Sequence, residues 1–226
     1  MRRLMTKTNP KPKTRTAILI SGRGSNMKSL VEAARAKDYP ASIVTVISNR
    51  PEAPGLAWAK AQGLATVVID HKSHTSREAF EAELQMALQA AQVELVALAG
   101  FMRLMTPAFV ASWQNRMINI HPSLLPSFKG LHTHERAIEA GVRIAGCTVH
   151  YVSAGMDEGP IIAQAAVPVL SGDTAETLGA RVLAAEHRAY PAALALVAAG
   201  KVAMEGEKVV ILEDLNQSPP LFSPGL

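Results

Sequence analysis

A chain of 226 residues with 48% apolar side chains can build one α/β domain with a full core, and its apolar residues never run unbroken for long enough to span a bilayer. Its net charge of +4 comes from the start of the chain: Arg2, Arg3, Lys7, Lys11, Lys13 and Arg15 face no acid within residues 1–15, and without them 17 basic residues stand against 19 acidic ones, which argues against a nucleic-acid-binding body. The single Cys147 cannot pair internally and no apolar run follows the basic start, so the sequence predicts a cytoplasmic protein with neither a secretory signal nor a membrane anchor.

Residues 1–15 hold Pro10 and Pro12 and few apolar groups, a composition that predicts a disordered basic leader, with Met5 as an internal candidate start. Residues 16–21 read as a buried strand. The turn Ser21-Gly22-Arg23-Gly24-Ser25-Asn26 follows, then a helix with Met27, Leu30, Val31 and Ala34 on one stripe. Glycines let the backbone approach a ligand, and the free N–H groups at a helix start attract negative charge. The turn is close to a dinucleotide fingerprint, but Met27 stands in the place of its third glycine. A monophosphate therefore suits it better than a pyrophosphate. A purely structural β–α turn is the alternative.

Residues 42–48 and 66–69 read as strands, separated by a short helix over 55–62. Thr75 and Glu78 have capping-box spacing and predict a helix over 76–91, with Phe80, Leu84 and Leu88 inward and Arg77 in its first turn. A buried strand over 95–99 breaks at Gly100-Phe101-Met102-Arg103-Leu104. Large apolar groups past a strand end can wall a flat pocket or simply pack in the core. Thr106-Pro107 starts another short helix.

The strand over 117–120 leads into Asn119-Ile120-His121-Pro122. Side chains two apart on a strand share a face, so Asn119 and His121 stand together while Ile118 and Ile120 turn into the core. Pro122 holds His121 extended and ends the strand. An amide beside an imidazole can act as oxyanion donor and proton carrier; the alternative is a strand that happens to end in polar residues. Residues 148–152 and 161–169 predict a hairpin-like pair at the sheet edge. Asp173, boxed by Glu176, predicts the cap of a long helix to Ala199, kinked at Pro191 and ended by Gly200. Residues 209–212 predict a short strand, and 213–226 a frayed tail. Alternating strands and helices with short connections predict a mostly parallel, Rossmann-like sheet covered on both faces, with an antiparallel C-terminal addition.

Ser21-Gly-Arg-Gly-Ser-Asn26, Ala99-Gly-Phe-Met-Arg103, Asn119-Ile-His-Pro-Ser-Leu-Leu-Pro126, Gly130-Leu-His-Thr-His134 and Asp157-Glu-Gly-Pro160 resemble, in order and spacing, the motifs of the folate-dependent phosphoribosylglycinamide formyltransferases. The resemblance covers residues 16–212, taken as one domain. It implies formyl transfer from 10-formyltetrahydrofolate, as co-substrate, to the amine of glycinamide ribonucleotide in purine synthesis. The transfer calls for no metal; charge and hydropathy predict no nucleic-acid or membrane partner, and a monomer or homodimer is expected. Asn119, His121 and Asp157 match the catalytic trio. Gly24, Ser25, Asn26 and Glu186 match the ribonucleotide site. Arg77, Met102, Arg103, Leu104, Met105, Asn119, Ser153, Ala154, Gly155, Met156 and Asp157 match the folate side. Arg23, and Glu158 where a glycine is common, depart from the pattern.

The remaining histidines each carry a plainer reading. His132 and His134 have His-x-His spacing but no further ligand at metal spacing, which favours a loop-fixing role. His150 is either a site hydrogen-bonder or a satisfied core histidine. His71 and His74 fall in a polar loop and are expected to face solvent.

Overall fold

A computed structural model describes residues 12–212 and 221–223. Seven strands form one sheet in the order β3-β2-β1-β4-β5-β6-β7. The first five, β1 (Thr14–Ile20), β2 (Ala41–Ser48), β3 (Thr66–Val68), β4 (Leu95–Leu98) and β5 (Met117–His121), run parallel. Two antiparallel strands, β6 (Ile144–Tyr151) and β7 (Ile161–Pro168), extend the edge. The chain direction across the sheet reverses between β1 and β4, the place where open α/β sheets leave a crevice at their strand ends.

Strand alternation divides the core into two. Ile18 and Ile20 of β1 and Ile118 and Ile120 of β5 face one side, against α1 (Ser25–Ala34), α2 (Pro54–Ala61) and α6 (Ala175–Ala199). Ala17, Leu19 and Met117 face the other, against α3 (Arg77–Ala90) and α4 (Pro107–Ser112). Helices thus cover both faces, as the short parallel crossovers require. Tyr190 of α6 is fully buried, and its hydroxyl donates to the carbonyls of Leu98 (2.9 Å) and Ile118 (3.2 Å). One side chain therefore ties α6 to the two strands that end at the crevice.

Several details differ from the sequence expectations. β1 begins at Thr14, inside the stretch read as leader, because Thr14 N–H donates to the Pro40 carbonyl and Arg15 N–H to Glu94. Ser76, not Thr75, caps α3: its side chain accepts from Ala79 N–H. Thr174, boxed with Thr177, caps α6, because Asp173 is engaged by Arg181 at 2.8 Å. The run of α6 to Ala199 with Pro191 inside it is as the sequence predicts. A seven-residue helix, α5 (Thr133–Glu139), stands where no element was expected. The terminal strand is half of a separate two-stranded sheet, β8 (Val202–Glu205) with β9 (Lys208–Ile211). Residues 1–11, 213–220 and 224–226, which carry most of the leader and tail expectations, lie outside the described residues.

Candidate active site

Asn119 and His121 close β5, and its antiparallel pairing with β6 sets Asn119 opposite His150 and His121 opposite Thr148. Directly paired residues on a sheet share a face, so this register makes a cluster of Asn119, His121 and His150. The loop after β6 brings Asp157 over it. Asp157 Oδ2 lies 3.3 Å from His121 Nδ1, and Oδ1 lies 3.9 Å from His150 Nε2. The backbone N–H of Gly130 donates to the same carboxylate at 3.0 Å. His121 is 5% exposed, so its contact with Asp157 is little screened by water.

The tautomer of His150 follows from its partners. Burial lowers its pKa, partly opposed by the bond to Tyr151 and the nearby Asp157 charge. The neutral ring donates from Nδ1 to the Tyr151 carbonyl at 2.8 Å, leaving Nε2 to accept from Asn119 Nδ2 at 3.3 Å. One amide hydrogen of Asn119 is therefore fixed and the other is free for a ligand. Composition could not place His150 here; the β5–β6 register does.

The loop beneath is anchored separately. Thr148 Oγ1 donates to the Ser123 carbonyl (2.7 Å) and accepts from Leu125 N–H (3.0 Å), while Gln164 holds the Leu125 carbonyl (2.9 Å). The Phe128 carbonyl faces His121 Nε2 at 3.1 Å, and Arg136 of α5 holds the Lys129 carbonyl at 2.6 Å. Gly159 allows the second loop to close: a Cβ there would stand 1.7 Å from the Tyr151 carbonyl oxygen. Lys129 and Glu158 join the two loops at 2.9 Å, so the departure at Glu158 has a local partner.

At the first strand, Gly24 precedes α1 with φ 69°, a left-handed conformation that favours glycine. Helix α1 has neither a side-chain cap nor an acidic residue in its first turn, leaving its N–H groups to a ligand. Gly55 N–H bonds the Gly22 carbonyl at 3.1 Å, and a Cβ at Gly55 would come within 2.7 Å of Ile20 Cδ1. The α2 region therefore braces this turn. Asn26 Nδ2 donates to Glu186 Oε2 of α6 at 2.7 Å, and burial raises the Glu186 pKa. Met27 fills the core at 0% exposure where a third glycine would leave space.

The folate-side candidates do not behave as one group. Met102 (65% exposed) and Leu104 (57%) are open to solvent past β4, as is Met156 (52%) on the opposite loop. Arg103 lies over the Phe80 ring at 5.0 Å. Phe101 stacks on Phe80, and Met105 is buried in the second core, so these two pack rather than line an open surface. Ser153 and Gly155 are half-buried and Ala154 is exposed. Arg77 is exposed at the start of α3 and makes none of the cluster's contacts. Ser21 was not singled out, yet its hydroxyl accepts from Met102 N–H (2.8 Å) and donates to Asn49 (2.6 Å), joining the ends of β1 and β4.

Other histidines correct their expectations. His74 packs edge-on against Phe80 and pairs with Glu83 at 2.7 Å, and His71 Nδ1 donates to the Asn49 carbonyl at 2.7 Å. Neither simply faces solvent. His132 does, pairing with Glu135, whereas His134 sits against Gly179 of α6. Burial lowers the His134 pKa. Among the described residues no group of three His, Cys, Asp or Glu side chains is placed to hold a metal ion, and no helix is long and apolar enough to cross a membrane.

An imidazole–carboxylate pair at the end of a parallel strand, beside a glycine turn that opens a helix, is an arrangement that can serve a small-molecule transferase. The chain belongs to the formyl transferase family, whose model matches residues 14–194. Within that family it is similar to the Escherichia coli phosphoribosylglycinamide formyltransferase, at 41% identity over 83% of this chain and 88% of that one. The trifunctional purine biosynthetic protein adenosine-3 of Drosophila pseudoobscura pseudoobscura is 52% identical over 84% of this chain, which spans only 14% of that protein. The crystal structure of glycinamide ribonucleotide transformylase 1 from Symbiobacterium toebii superposes with a TM-score of 0.86 at 49% identity, covering 89% of this chain and 95% of that one.

Proposed function

We propose that residues 14–212 form one domain that moves the formyl group of 10-formyltetrahydrofolate directly to the amine of glycinamide ribonucleotide. The observation that carries this reading is the 3.3 Å approach of His121 Nδ1 to Asp157, on the face shared with Asn119. The names of the relatives above support glycinamide ribonucleotide as the acceptor of the formyl group.

In this mechanism the substrate amine attacks the formyl carbon. The carbonyl electron pair moves to oxygen, and the free N–H of Asn119 stabilises that oxyanion. Such a donor is worth about 3–4 kcal/mol of barrier in other enzymes. Collapse of the tetrahedral intermediate re-forms the carbonyl and breaks its bond to folate N10. His121 supplies the proton that N10 needs, and the proton of the attacking amine replaces it. Asp157 holds the ring and stabilises its cationic form. The Phe128 carbonyl faces Nε2, so it must release that N–H when substrate takes it. The turn at Gly24, Ser25 and Asn26 would take the phosphate, with Glu186 holding the ribonucleotide from α6. Met102, Leu104 and Met156 would flank the folate.

The test supplies 10-formyltetrahydrofolate with and without glycinamide ribonucleotide and follows tetrahydrofolate. Release only with the ribonucleotide, with formyl on its amine, is expected. Release without it would indicate a hydrolase, and no release in either case a binding module.

A further inference from the structure

We propose that Arg23 and Arg188 form a second wall of the phosphate site, so that the ribonucleotide phosphate is held between the Gly24–Asn26 turn and two guanidinium groups; this rests on the functional reading above. A cavity of about 880 Å³ opens between α1 and α6, lined by Arg23, Ser25, Lys28, Glu32, His187 and Arg188 among others. Three fixed cations face one acid there, an excess that suits a phosphate monoester dianion. His187 adds no charge near neutral pH, because burial lowers its pKa.

The two arginines lack partners within the protein. Both are exposed, and neither side chain makes a hydrogen bond or ion pair among the described residues. Arg181, two turns before Arg188 on α6, shows the contrast, since it is paired with Asp173 at 2.8 Å. Lys28 is held over the Trp58 ring at 5.4 Å rather than by a carboxylate. The start of α1 has no acid in its first turn, and Asn26, 9% exposed, keeps Oδ1 without a partner. The turn and the neighbouring stretch of α6 therefore present uncompensated helix charge and two unpaired guanidinium groups beside one cavity. Guanidinium binds phosphate through paired N–H donors, which an ammonium cannot imitate.

Arg23→Ala, Arg188→Ala and the double variant would be assayed with glycinamide ribonucleotide and with its dephosphorylated nucleoside. The preference in kcat/KM for the phosphorylated substrate is expected to fall about tenfold in each single variant, the size of one charge-assisted contact. Added salt should narrow the gap between wild type and variants, and Arg23→Lys should recover only part of the loss. Binding of ribose 5-phosphate, measured by calorimetry, reads the same site without formyl transfer and should weaken by a similar factor. Unchanged preference, or ribose 5-phosphate binding that is absent in the wild type or equal in the variants, would overturn the proposal. A wild type that binds ribose 5-phosphate through these arginines yet does not formylate the ribonucleotide would sink the reaction and leave the site standing.

Discussion

His121 presents Nδ1 to Asp157 Oδ2 at 3.3 Å and Nε2 to the Phe128 carbonyl at 3.1 Å. Both neighbours accept hydrogen bonds, so a ring carrying a proton on each nitrogen satisfies both. In the proposed mechanism the proton that moves is the one on Nε2, while the carboxylate holds the opposite edge. Asp157 itself sits at φ 55°, uncommon for a residue other than glycine. Its loop keeps that conformation through Gly130 N–H and the close packing of Gly159.

His150 is expected to act through Asn119. His150→Phe removes the acceptor that fixes the Asn119 amide and should lower kcat by about 10–100-fold, short of the loss on removing the donor itself. Stopped-flow or steady-state turnover checks this. The pH dependence has a defined sign. The folded state lowers the His150 pKa, so below the ordinary histidine pKa of about 6.5 the unfolded chain binds more protons and stability falls as pH falls. His134 and His187 act in the same direction, while His74, whose pKa is raised by its bonds to the Asp70 carbonyl and Glu83, acts against them. Thermal melts should show a drop between about pH 6.5 and 5 that is smaller in the His150 variant.

Glu186 is expected to trade stability for binding. Its raised pKa means that the folded state resists losing the proton. Stability is therefore lost as pH rises from the ordinary glutamate value of about 4.3 through the higher folded value. Glu186→Gln keeps an acceptor for Asn26 and removes that cost. Its melting temperature near neutral pH should rise by about 2–4 °C, the equivalent of about 1 kcal/mol in a domain of this size, while KM for the ribonucleotide rises. Calorimetry and steady-state kinetics on one preparation read both.

Tyr190 is a structural prediction. Tyr190→Phe leaves the ring in place and strips the hydroxyl from the carbonyls of Leu98 and Ile118. Losing a buried donor should cost about 1–2 kcal/mol, seen as a lower urea midpoint with an unchanged m value.

Much of this fold was legible because its signals are local. Apolar runs marked the five parallel strands, the stripe Met27, Leu30 and Val31 marked α1, and i, i+2 spacing put Asn119 and His121 on one face. What escaped depends on chain segments far apart. α5 is short and starts from His132 in a left-handed conformation, so neither length nor a polar cap announced it. The capping residue moved by one position at α3 and α6, where neighbouring polar residues compete for the same orphan N–H groups. Met105 reads like its exposed neighbour Leu104 yet turns into the core. The Phe128 carbonyl carries no sequence signal, since every residue has one.

The most direct test is Asp157→Asn. The amide can still accept from Gly130 N–H, but it cannot stabilise a cationic His121. Turnover should fall by at least about 100-fold, the usual scale of lost acid–base catalysis, with the Kd for glycinamide ribonucleotide unchanged within about twofold. Near-normal turnover in a variant that binds the ribonucleotide normally would contradict the coupled His121–Asp157 pair.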